Sequence, residues 1–371
     1  MKVWLFVICC LIILISCSKN DFKVTLIDGV NCYENGNIPA NRNETIDTKL
    51  LYEITGNANG RFGHPFALAV DNDINLYVLD VEKCLINKFN SKGVFVTSFG
   101  GSGTGPGESV FPNNIAIIND TVMVSSMSNR LVNKYSLEGN FLCASRIEDA
   151  TPIFVKPINN GKNVIGFTEN IQKGKNSLKI SVNLSIMNSQ FATVKTIHEH
   201  TVDFDQQKSV NFLDLYAPYA VSDEKIFVSQ NKDGIYAIDI YNLDGEKIEK
   251  ISKNYRSIRL SQNEKNDFNE SLKRVNDSNN PPISATLKKP INSIYYDKYK
   301  RLLVVVSVDR KKEISKDCFL DIFKDGKFQN RTKLDIIPGN DFIDFENQLF
   351  FYGERIYYLD MANTSVKVYE Y

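Results

Sequence analysis

A strand–turn–strand unit recurs between residues 48 and 371, and this repeat restricts the fold more than any other feature of the sequence. Residues 76–89 and 356–369 each contain an alternating apolar strand that closes on Leu-Asp, then a polar turn, then a strand ending in an aromatic residue. The aromatic recurs at Phe89, Tyr135, Tyr241, Phe323 and Tyr369, and Gly93, Gly139, Gly245 and Gly326 follow the first four. Because glycine adopts the positive φ of tight hairpin turns, each unit is predicted to contain paired strands.

A proline precedes the predicted first strand of each unit and gives an independent count. These prolines are Pro65, Pro112, Pro152, Pro218, Pro290 and Pro338. With residues 253–289 set aside as an insertion, about 48 residues remain for each unit, close to the roughly 40–50 residues of a four-stranded blade. We therefore predict an all-β fold, a six-bladed β-propeller; a β-sandwich with coincidental proline spacing is the alternative.

The two ends of the repeat region predict how the ring closes. The last unit stops at Tyr371, after its third strand, and residues 50–55 form an unassigned strand before the first proline. Pairing this N-terminal strand with the last unit supplies a fourth strand and leaves no long unpaired edge. The propeller is thus predicted to span residues 48–371.

The N-terminal residues resemble an export signal with a site for lipid attachment. Residues 3–15 are a run of 13 apolar residues, which is shorter than the roughly 20 residues needed to cross a bilayer but suits a signal peptide. The run ends in Leu14-Ile15-Ser16-Cys17, which resembles the lipobox of bacterial lipoproteins. We predict a leader over residues 1–16, then a lipidated Cys17 and a flexible tether over 17–47; a plain secretory leader is the alternative.

Two segments resemble NHL repeats. Residues 56–70 and 99–118 each contain a glycine-rich turn, then an aromatic residue and a proline, then an apolar strand. Together with the lipobox, they make the chain similar to the six-bladed β-propeller lipoproteins of Bacteroides-type bacteria. That resemblance implies a propeller attached to the cell envelope at the outer membrane, and it implies no defined reaction. Residues 18–21 match the acidic surface-display signal of such bacteria only in part, so periplasmic and surface-facing orientations both stay open.

Charge and cysteine content exclude some functional classes. The chain has 44 Lys and Arg against 44 Asp and Glu, so it lacks the basic excess of a dedicated nucleic-acid-binding protein. Cys32, Cys84, Cys143 and Cys318 are widely spaced, which argues against a thiolate metal site. Of these, Cys143 and Cys318 are predicted to be small buried residues. No cofactor is identified, although a carboxylate Ca²⁺ site stays open.

Two short motifs that suggest chemistry are better explained by structure. Residues 100–107 are rich in glycine, but neither a Lys-Ser/Thr pair nor helical periodicity follows, so a turn between blades is predicted rather than a phosphate-binding loop. His198 and His200 flank Glu199 on a predicted strand, and no third ligand lies at a suitable spacing. An exposed strand end is predicted there.

The connections into the first strands are predicted to surround one mouth of the propeller channel, where a ligand would bind. The candidate ligand-binding residues are Arg61, His64, Asn113, Asn114, Tyr216, Tyr219, Lys289, Asn292, Asn340 and Asp341. Amides, aromatic rings and cations suit a carbohydrate or a peptide, through hydrogen bonds and stacking. Because His64 is the only histidine at such a connection, no histidine-rich metal centre is predicted.

The insertion over residues 253–289 is predicted to contain a helix over 261–275. Ser261 and Glu264 have the spacing of a capping box. Phe268, Leu272 and Val275 form one narrow apolar stripe. This helix is predicted on the same face as His64, as a lid, as a docking element for a partner or simply as packing on neighbouring loops.

The sequence favours a lipid-anchored binding or scaffold module for a glycan, a peptide or an envelope protein. No nucleophile, general base or metal cluster is recognisable, and this favours binding over catalysis. The alternative is a metal-dependent hydrolase or lyase with its site at the channel mouth. A third hypothesis is a structural subunit of an outer-membrane uptake complex.

Overall fold

In the computed structural model, six β-sheets follow one another along the chain as the blades of a propeller. The structure describes residues 21–56, 62–126, 128–148, 150–174, 177–205, 214–275, 285–309, 317–338 and 347–371. The first strand of each blade is innermost, and we call the face where these first strands begin the upper face and the opposite one the lower face.

The strands are numbered in chain order. The N-terminal segment contains β1 (Lys23–Ile27), β2 (Val30–Asn35) and β3 (Lys49–Thr55). Blade 1 contains β4 (Pro65–Val70), β5 (Leu76–Asp80), β6 (Leu85–Phe89) and β7 (Phe95–Gly100). Blade 2 contains β8 (Pro112–Ile118), β9 (Thr121–Ser126), β10 (Leu131–Ser136) and β11 (Phe141–Arg146). Blade 3 contains β12 (Ile153–Ile158), β13 (Asn163–Lys173), β14 (Ser177–Asn188) and β15 (Thr193–Asp205), with a 3₁₀ turn at Asn159–Gly161.

The remaining blades follow the same plan. Blade 4 contains β16 (Tyr219–Val221), β17 (Lys225–Ser229), β18 (Ala237–Asn242) and β19 (Lys247–Lys253), and helix α1 (Gln262–Val275) comes after it. Blade 5 contains β20 (Ile291–Tyr296), β21 (Leu302–Val306), β22 (Asp317–Lys324) and β23 (Lys327–Pro338). Blade 6 contains β24 (Asn347–Tyr352), β25 (Arg355–Asp360) and β26 (Ser365–Glu370).

The hydrophobic core lies between the blades. Six clusters of buried apolar residues each join two consecutive blades, and one of them joins blade 6 to blade 1. All five residues of β5, Leu76–Asp80, are buried, because the neighbouring blades cover both faces to which its alternate side chains point. The closed ring of clusters confirms the predicted six-bladed propeller.

The N-terminal strand closes the ring as predicted. β3 pairs antiparallel with β26, from Thr55 opposite Ser365 to Lys49 opposite Glu370. Blade 6 therefore consists of three C-terminal strands and one N-terminal strand. β3 and the last three strands are thus bonded in one sheet, so global unfolding must separate segments that are far apart in sequence.

The hairpin between the third and fourth strands has the predicted local chemistry. In blade 1, Phe89 ends β6, and the Asn90 Oδ1 atom accepts hydrogen bonds from the N–H groups of Lys92 (2.9 Å) and Val94 (3.0 Å). Gly93 lies between them at φ 77°, a conformation that glycine adopts without strain. The aromatic and the glycine thus mark the end of a strand and the turn that follows.

One of the six prolines does not have the predicted position. Pro65 and Pro112 are the first residues of β4 and β8, and Pro152, Pro218 and Pro290 directly precede β12, β16 and β20. Pro338 instead ends β23, opposite Asp317, whereas β24 begins at Asn347. Proline is tolerated wherever the ladder does not need its missing N–H, so it can end a strand as well as begin one.

The structure also corrects the flexible tether predicted for residues 17–47. β1 and β2 form an antiparallel hairpin, and β2 pairs in parallel with β19, which extends blade 4 to six strands. The turn is Asp28-Gly29, with φ values of 50° and 79°, which suits a two-residue hairpin loop. The pairing with β19 supplies the sheet partner that these short, partly polar strands lack by themselves.

The N-terminal segment then crosses the outer side of blade 5. The Asn35 side chain donates to the carbonyls of Ser252 (3.2 Å) and Gly326 (3.0 Å) and accepts from the N–H of Phe328 (2.8 Å). Further along, Glu44 forms an ion pair with Arg301 (2.8 Å). These contacts link blades 4 and 5 before the chain reaches β3 in blade 6.

Helix α1 has the predicted capping box. The Ser261 N–H donates to Glu264 Oε2 (2.7 Å), and the Glu264 N–H donates to Ser261 Oγ (3.3 Å). Glu264 also forms an ion pair with the buried Lys288. The side chains of the predicted apolar stripe, Phe268, Leu272 and Val275, lie outside the described residues.

The structure tests the predicted burial of Cys143 and Cys318. Cys318 is buried as predicted, whereas Cys143 is exposed because it lies on β11, the outer strand of blade 2. Among the described residues, Cys32, Cys84, Cys143 and Cys318 form no disulfide bond with one another. Across the same residues, no helix has both the length and the apolar character required to span a bilayer.

Candidate functional site

The channel at the centre of the ring contains a cavity of about 740 Å³, a volume within the roughly 300–1,000 Å³ of small-molecule sites. Its wall consists mainly of β4, β8 and β12 and part of β24. These strands are terminal in their sheets, so they have no strand partner on the channel side. Their backbone N–H and C=O groups are therefore a source of hydrogen bonds for a bound molecule.

Three of the cavity-lining strands contain a β-bulge near the upper face. The pairing of β4 with β5 skips Phe66, that of β8 with β9 skips Asn113, and that of β12 with β13 skips Phe154 and Val155. A bulge leaves its residue out of the ladder and redirects the side chain. Phe66, Asn113 and Phe154 all line the cavity.

The bulge of blade 3 is held by both neighbouring blades. The Val155 N–H donates to Asn114 Oδ1 of blade 2 (3.2 Å), and the Tyr219 hydroxyl of blade 4 donates to the Phe154 carbonyl. Phe154 has φ 52° and is 36% exposed. A phenylalanine in this left-handed conformation is strained, and such strain persists only where surrounding bonds enforce it.

Lys156 follows this bulge and lines the same cavity. It is the only charged residue in the six first strands of the blades. Its Nζ donates to the Tyr219 carbonyl (3.1 Å) and lies 4.6 Å from the centre of the Tyr219 ring. Burial lowers the pKa of Lys156 to about 8, because removal from water disfavours the ammonium form. No carboxylate among the described residues forms an ion pair with it.

Asn113 contributes a second incompletely bonded group to the cavity. Its Oδ1 accepts from Ser125 Oγ (3.2 Å), whereas its Nδ2 is buried without a partner among the described residues. An unpaired buried donor costs roughly 1–3 kcal/mol unless water or a ligand satisfies it. Blade 5 repeats the Asn–Ser pair, with Asn292 Nδ2 donating to Ser307 Oγ (3.1 Å).

The lower end of the cavity is formed by polar turns that follow the first strands. Its polar residues there are Asp71, Asn72, Asn119, Asp120, Asn159, Asn160, Ser222 and Asp223. Asp71 is occupied by its own turn, since it accepts hydrogen bonds from Asn75 and from the Tyr77 hydroxyl. The Tyr352 hydroxyl donates to Asn72 Oδ1 (3.2 Å) and joins blade 6 to this rim.

The structure brings together two of the ten candidate residues, Asn113 and Asn114, in the cavity wall. His64 is exposed on the upper face, and its backbone N–H donates to Asp80 Oδ1 (3.2 Å). The Tyr216 hydroxyl donates to Glu169, and Lys289 is buried in ion pairs with Asp214 and Asp233. Arg61, Asn340 and Asp341, like Cys17, lie outside the described residues.

The His-Glu-His run lies within β15 rather than at an exposed strand end. His198 and His200 are half-buried, opposite Leu184 and Val182 of β14. Burial and the neighbouring His200 lower the pKa of His198. Among the described residues, no three His, Cys, Asp or Glu side chains are grouped so that they could hold a metal ion.

A family model described as a 6-bladed beta-propeller matches residues 68–276. The chain belongs to this family. No curated protein matches the sequence. The match covers blades 1 to 4 and helix α1, and it agrees with the six sheets of the structure.

Several solved structures are similar to this six-bladed propeller. One, from Bacteroides fragilis NCTC 9343, is described as an exported protein; it has a TM-score of 0.48 and 14% identity, covering 91% of this chain and 98% of that one. Virginiamycin B lyase from Staphylococcus aureus has a TM-score of 0.44 and 12% identity, covering 88% and 100% of the two chains. Hydrazine synthase from Kuenenia stuttgartiensis has a TM-score of 0.45 and 10% identity, covering 83% and 76%.

Sequence reasoning missed Lys156, although the sequence contains a signal for it. The first strand of blade 3 reads IFVKPI, and a lysine in an apolar innermost strand is unusual within this propeller. Charged residues are rarely buried unless they are paired. Such a residue in a first strand is therefore a candidate for ligand contact.

Proposed function

We propose that this six-bladed propeller is a lipid-anchored binding module of the bacterial cell envelope, with its ligand site in the central channel. The observation that carries the proposal is the cavity of about 740 Å³, whose wall contains the unpaired Asn113 Nδ2. The bulged Phe66 and Phe154 add aromatic surface to the same wall. Amide donors beside aromatic rings suit a polar ligand such as a glycan or a peptide.

The binding site can be tested by substitutions in the cavity wall. Asn113→Leu removes the amide at similar volume, and Phe154→Ala removes the exposed ring. Both variants are expected to weaken binding at least fivefold to whichever member of a glycan and peptide panel binds the wild-type protein, measured by titration calorimetry. Asn31→Leu, on the exposed part of β2, is the matched control. Equal affinity of all four proteins would contradict a channel site.

Lipid anchoring is supported by the apolar run of residues 3–15 followed by Cys17. A diacylglyceryl and acyl-modified cysteine supplies more than the two lipid chains that stable membrane attachment requires. Cells grown with an alkyne fatty acid are expected to label the wild-type protein but not Cys17→Ser. Equal labelling of the two proteins, or recovery of the wild type without lipid, would contradict the anchor.

A further inference from the structure

Lys156 is a half-buried residue of the cavity wall, and no carboxylate among the described residues forms an ion pair with it. Its described contacts are the Tyr219 carbonyl and the Tyr219 ring. Partial removal of a cation from water disfavours its charged form unless an opposite charge compensates. Since burial brings the pKa of Lys156 to about 8, the ammonium form still predominates at neutral pH.

The carboxylates of the cavity do not supply this charge. Asp71 is 2% exposed and is bonded to Asn75 and Tyr77 within its own blade. Asp120 and Asp223 lie in turns of the lower rim. Asp120 follows β8, and Asp223 follows β16. The strand wall therefore offers two donors: Asn113 Nδ2, which has no acceptor among the described residues, and Lys156 Nζ, which has the Tyr219 carbonyl but no carboxylate there.

We infer that the ligand carries a carboxylate that pairs with Lys156, and that it is an oligosaccharide containing uronic acid. This inference rests on the proposed function, because it names the ligand class of the same channel site. A carboxylate is the natural partner of a lysine ammonium, and the charged hydrogen bond is stronger than a neutral one. The hydroxyl groups of a sugar both donate and accept, so they match Asn113 Nδ2 and the unpaired backbone edges of β4, β8 and β12.

The aromatic residues of the wall favour a sugar over an acidic peptide. Phe66, Phe154 and Phe350 line the cavity, and Phe154 remains 36% exposed although its backbone is strained. A strained residue that presents an exposed ring is a typical sign of a functional contact. Apolar faces of sugar rings pack on such aromatic surfaces.

Uronic-acid trisaccharides and their methyl esters test the inference directly, because each pair differs only in charge. The probes are trimers of galacturonate, mannuronate and guluronate, titrated at pH 7 into the full-length protein in mild detergent. We expect at least one acid to bind tenfold or more tightly than its ester, in line with the roughly 1.5–3 kcal/mol of a charged hydrogen bond. Lys156→Met is expected to abolish this difference, whereas Lys156→Arg retains a cation and part of the preference.

Lys134→Met is the matched control, because Lys134 is half-buried on β10, outside the cavity. Thermal unfolding of each variant verifies that it is folded before titration. The inference is overturned if acid and ester bind equally, if Lys156→Met binds the acid like the wild type, or if only acidic peptides or none of the uronates bind. Neutral glycan binding that depends on Asn113 would then leave the proposed function standing, whereas loss of all Asn113-dependent binding would remove both.

Discussion

The buried lysines of blades 4 and 5 and the half-buried lysine of the channel differ in their counter-charge. Lys253 Nζ lies 3.5 Å from Asp321 Oδ2, and Lys289 Nζ lies 2.8 Å from Asp233 Oδ1. Lys288 is paired with Glu264 of the inserted helix. Lys156 has a carbonyl and an aromatic ring instead. The paired lysines connect blades and segments, whereas the unpaired one faces a cavity.

This contrast separates two uses of a charge that is wholly or partly removed from water. A charge with its partner in the fold specifies how two elements meet, and its loss is expected to destabilise the protein. A charge without a partner destabilises the protein as it stands and is available to a ligand. The predictions below test the two uses, beginning with the largest expected effect.

The structural role of the paired lysines is tested most strongly at Asp321, the carboxylate beside Lys253. This fully buried carboxylate accepts from Arg331 Nε (2.6 Å) and Nη2 (3.0 Å) and lies next to Lys253. Asp321→Ala removes the carboxylate beside the buried Lys253 and the bidentate acceptor of Arg331, so the free energy of unfolding is expected to fall by about 3–5 kcal/mol in urea denaturation. Asp335→Ala, at an exposed ion pair of the same blade, is expected to cost less than about 1 kcal/mol. Similar losses in both variants would contradict a structural role for the buried pair.

Substitution of Lys156, which has no ion-pair partner among the described residues, is expected to change the free energy of unfolding in the opposite direction. Lys156→Met replaces a half-buried charge that has no ion-pair partner among the described residues by an apolar side chain of similar length, and is expected to raise the free energy of unfolding at pH 7 by roughly 1–3 kcal/mol. The native pKa of about 8 lies below the ordinary value of 10.5, so between these values the unfolded wild type binds more protons than the native state. Wild-type stability therefore gains with rising pH in this window, and the advantage of the variant shrinks.

Urea denaturation of both proteins at pH 7 and pH 9.5 measures this effect, because other titrating groups cancel in the difference. Tyr219, the residue that Lys156 contacts, remains protonated over this range, since burial raises its pKa. A stability loss in Lys156→Met, or a difference independent of pH, would show that Lys156 is compensated in the fold.

Two asparagines extend the comparison to neutral groups. Asn35 uses both ends of its amide on backbone partners in blades 4 and 5, whereas Asn113 leaves Nδ2 unpaired. Asn35→Ala is expected to lower the free energy of unfolding by about 1–3 kcal/mol, because buried backbone groups lose their partners. Asn113→Ala is expected to cost less, and Asn31→Ala, on the exposed part of β2, within about 0.5 kcal/mol. The order Asn35, Asn113, Asn31 in urea midpoints is the measurement, and a reversed order would refute the comparison.

The parts of the fold that could be predicted from sequence are those with local signals. Phe89 and Gly93 mark a strand end and its turn within five residues, and the same pattern recurs in other blades. Asp28-Gly29 is an equally local hairpin signal that was overlooked because its flanking strands are short. The sheet partner of that hairpin could not be foreseen, since Asn35 and Ser252 are 217 positions apart in sequence.

The candidate site depends on contacts that no spacing reveals. Asn114 and Tyr219 are predicted ligand-binding residues, but their described bonds hold the bulge that presents Phe154. Lys156 is visible in the sequence as a charged residue in an apolar strand, but its lack of a carboxylate depends on which residues pack around it. Sequence therefore predicts where a channel lies better than which side chains are free within it.

The smallest predicted effect concerns the paired lysine that holds the inserted helix. Ser261→Ala removes the acceptor for the Glu264 N–H, while Glu264 keeps its ion pair with Lys288. A lost N-cap costs about 1 kcal/mol, so amide hydrogen exchange in the first turn of α1 is expected to accelerate about fivefold through local opening. Ser261→Asp restores an acceptor and is expected to exchange like the wild type. If exchange in Ser261→Ala is unchanged, the Lys288 pair alone fixes the start of the helix, and the contrast between paired and unpaired lysines becomes sharper still.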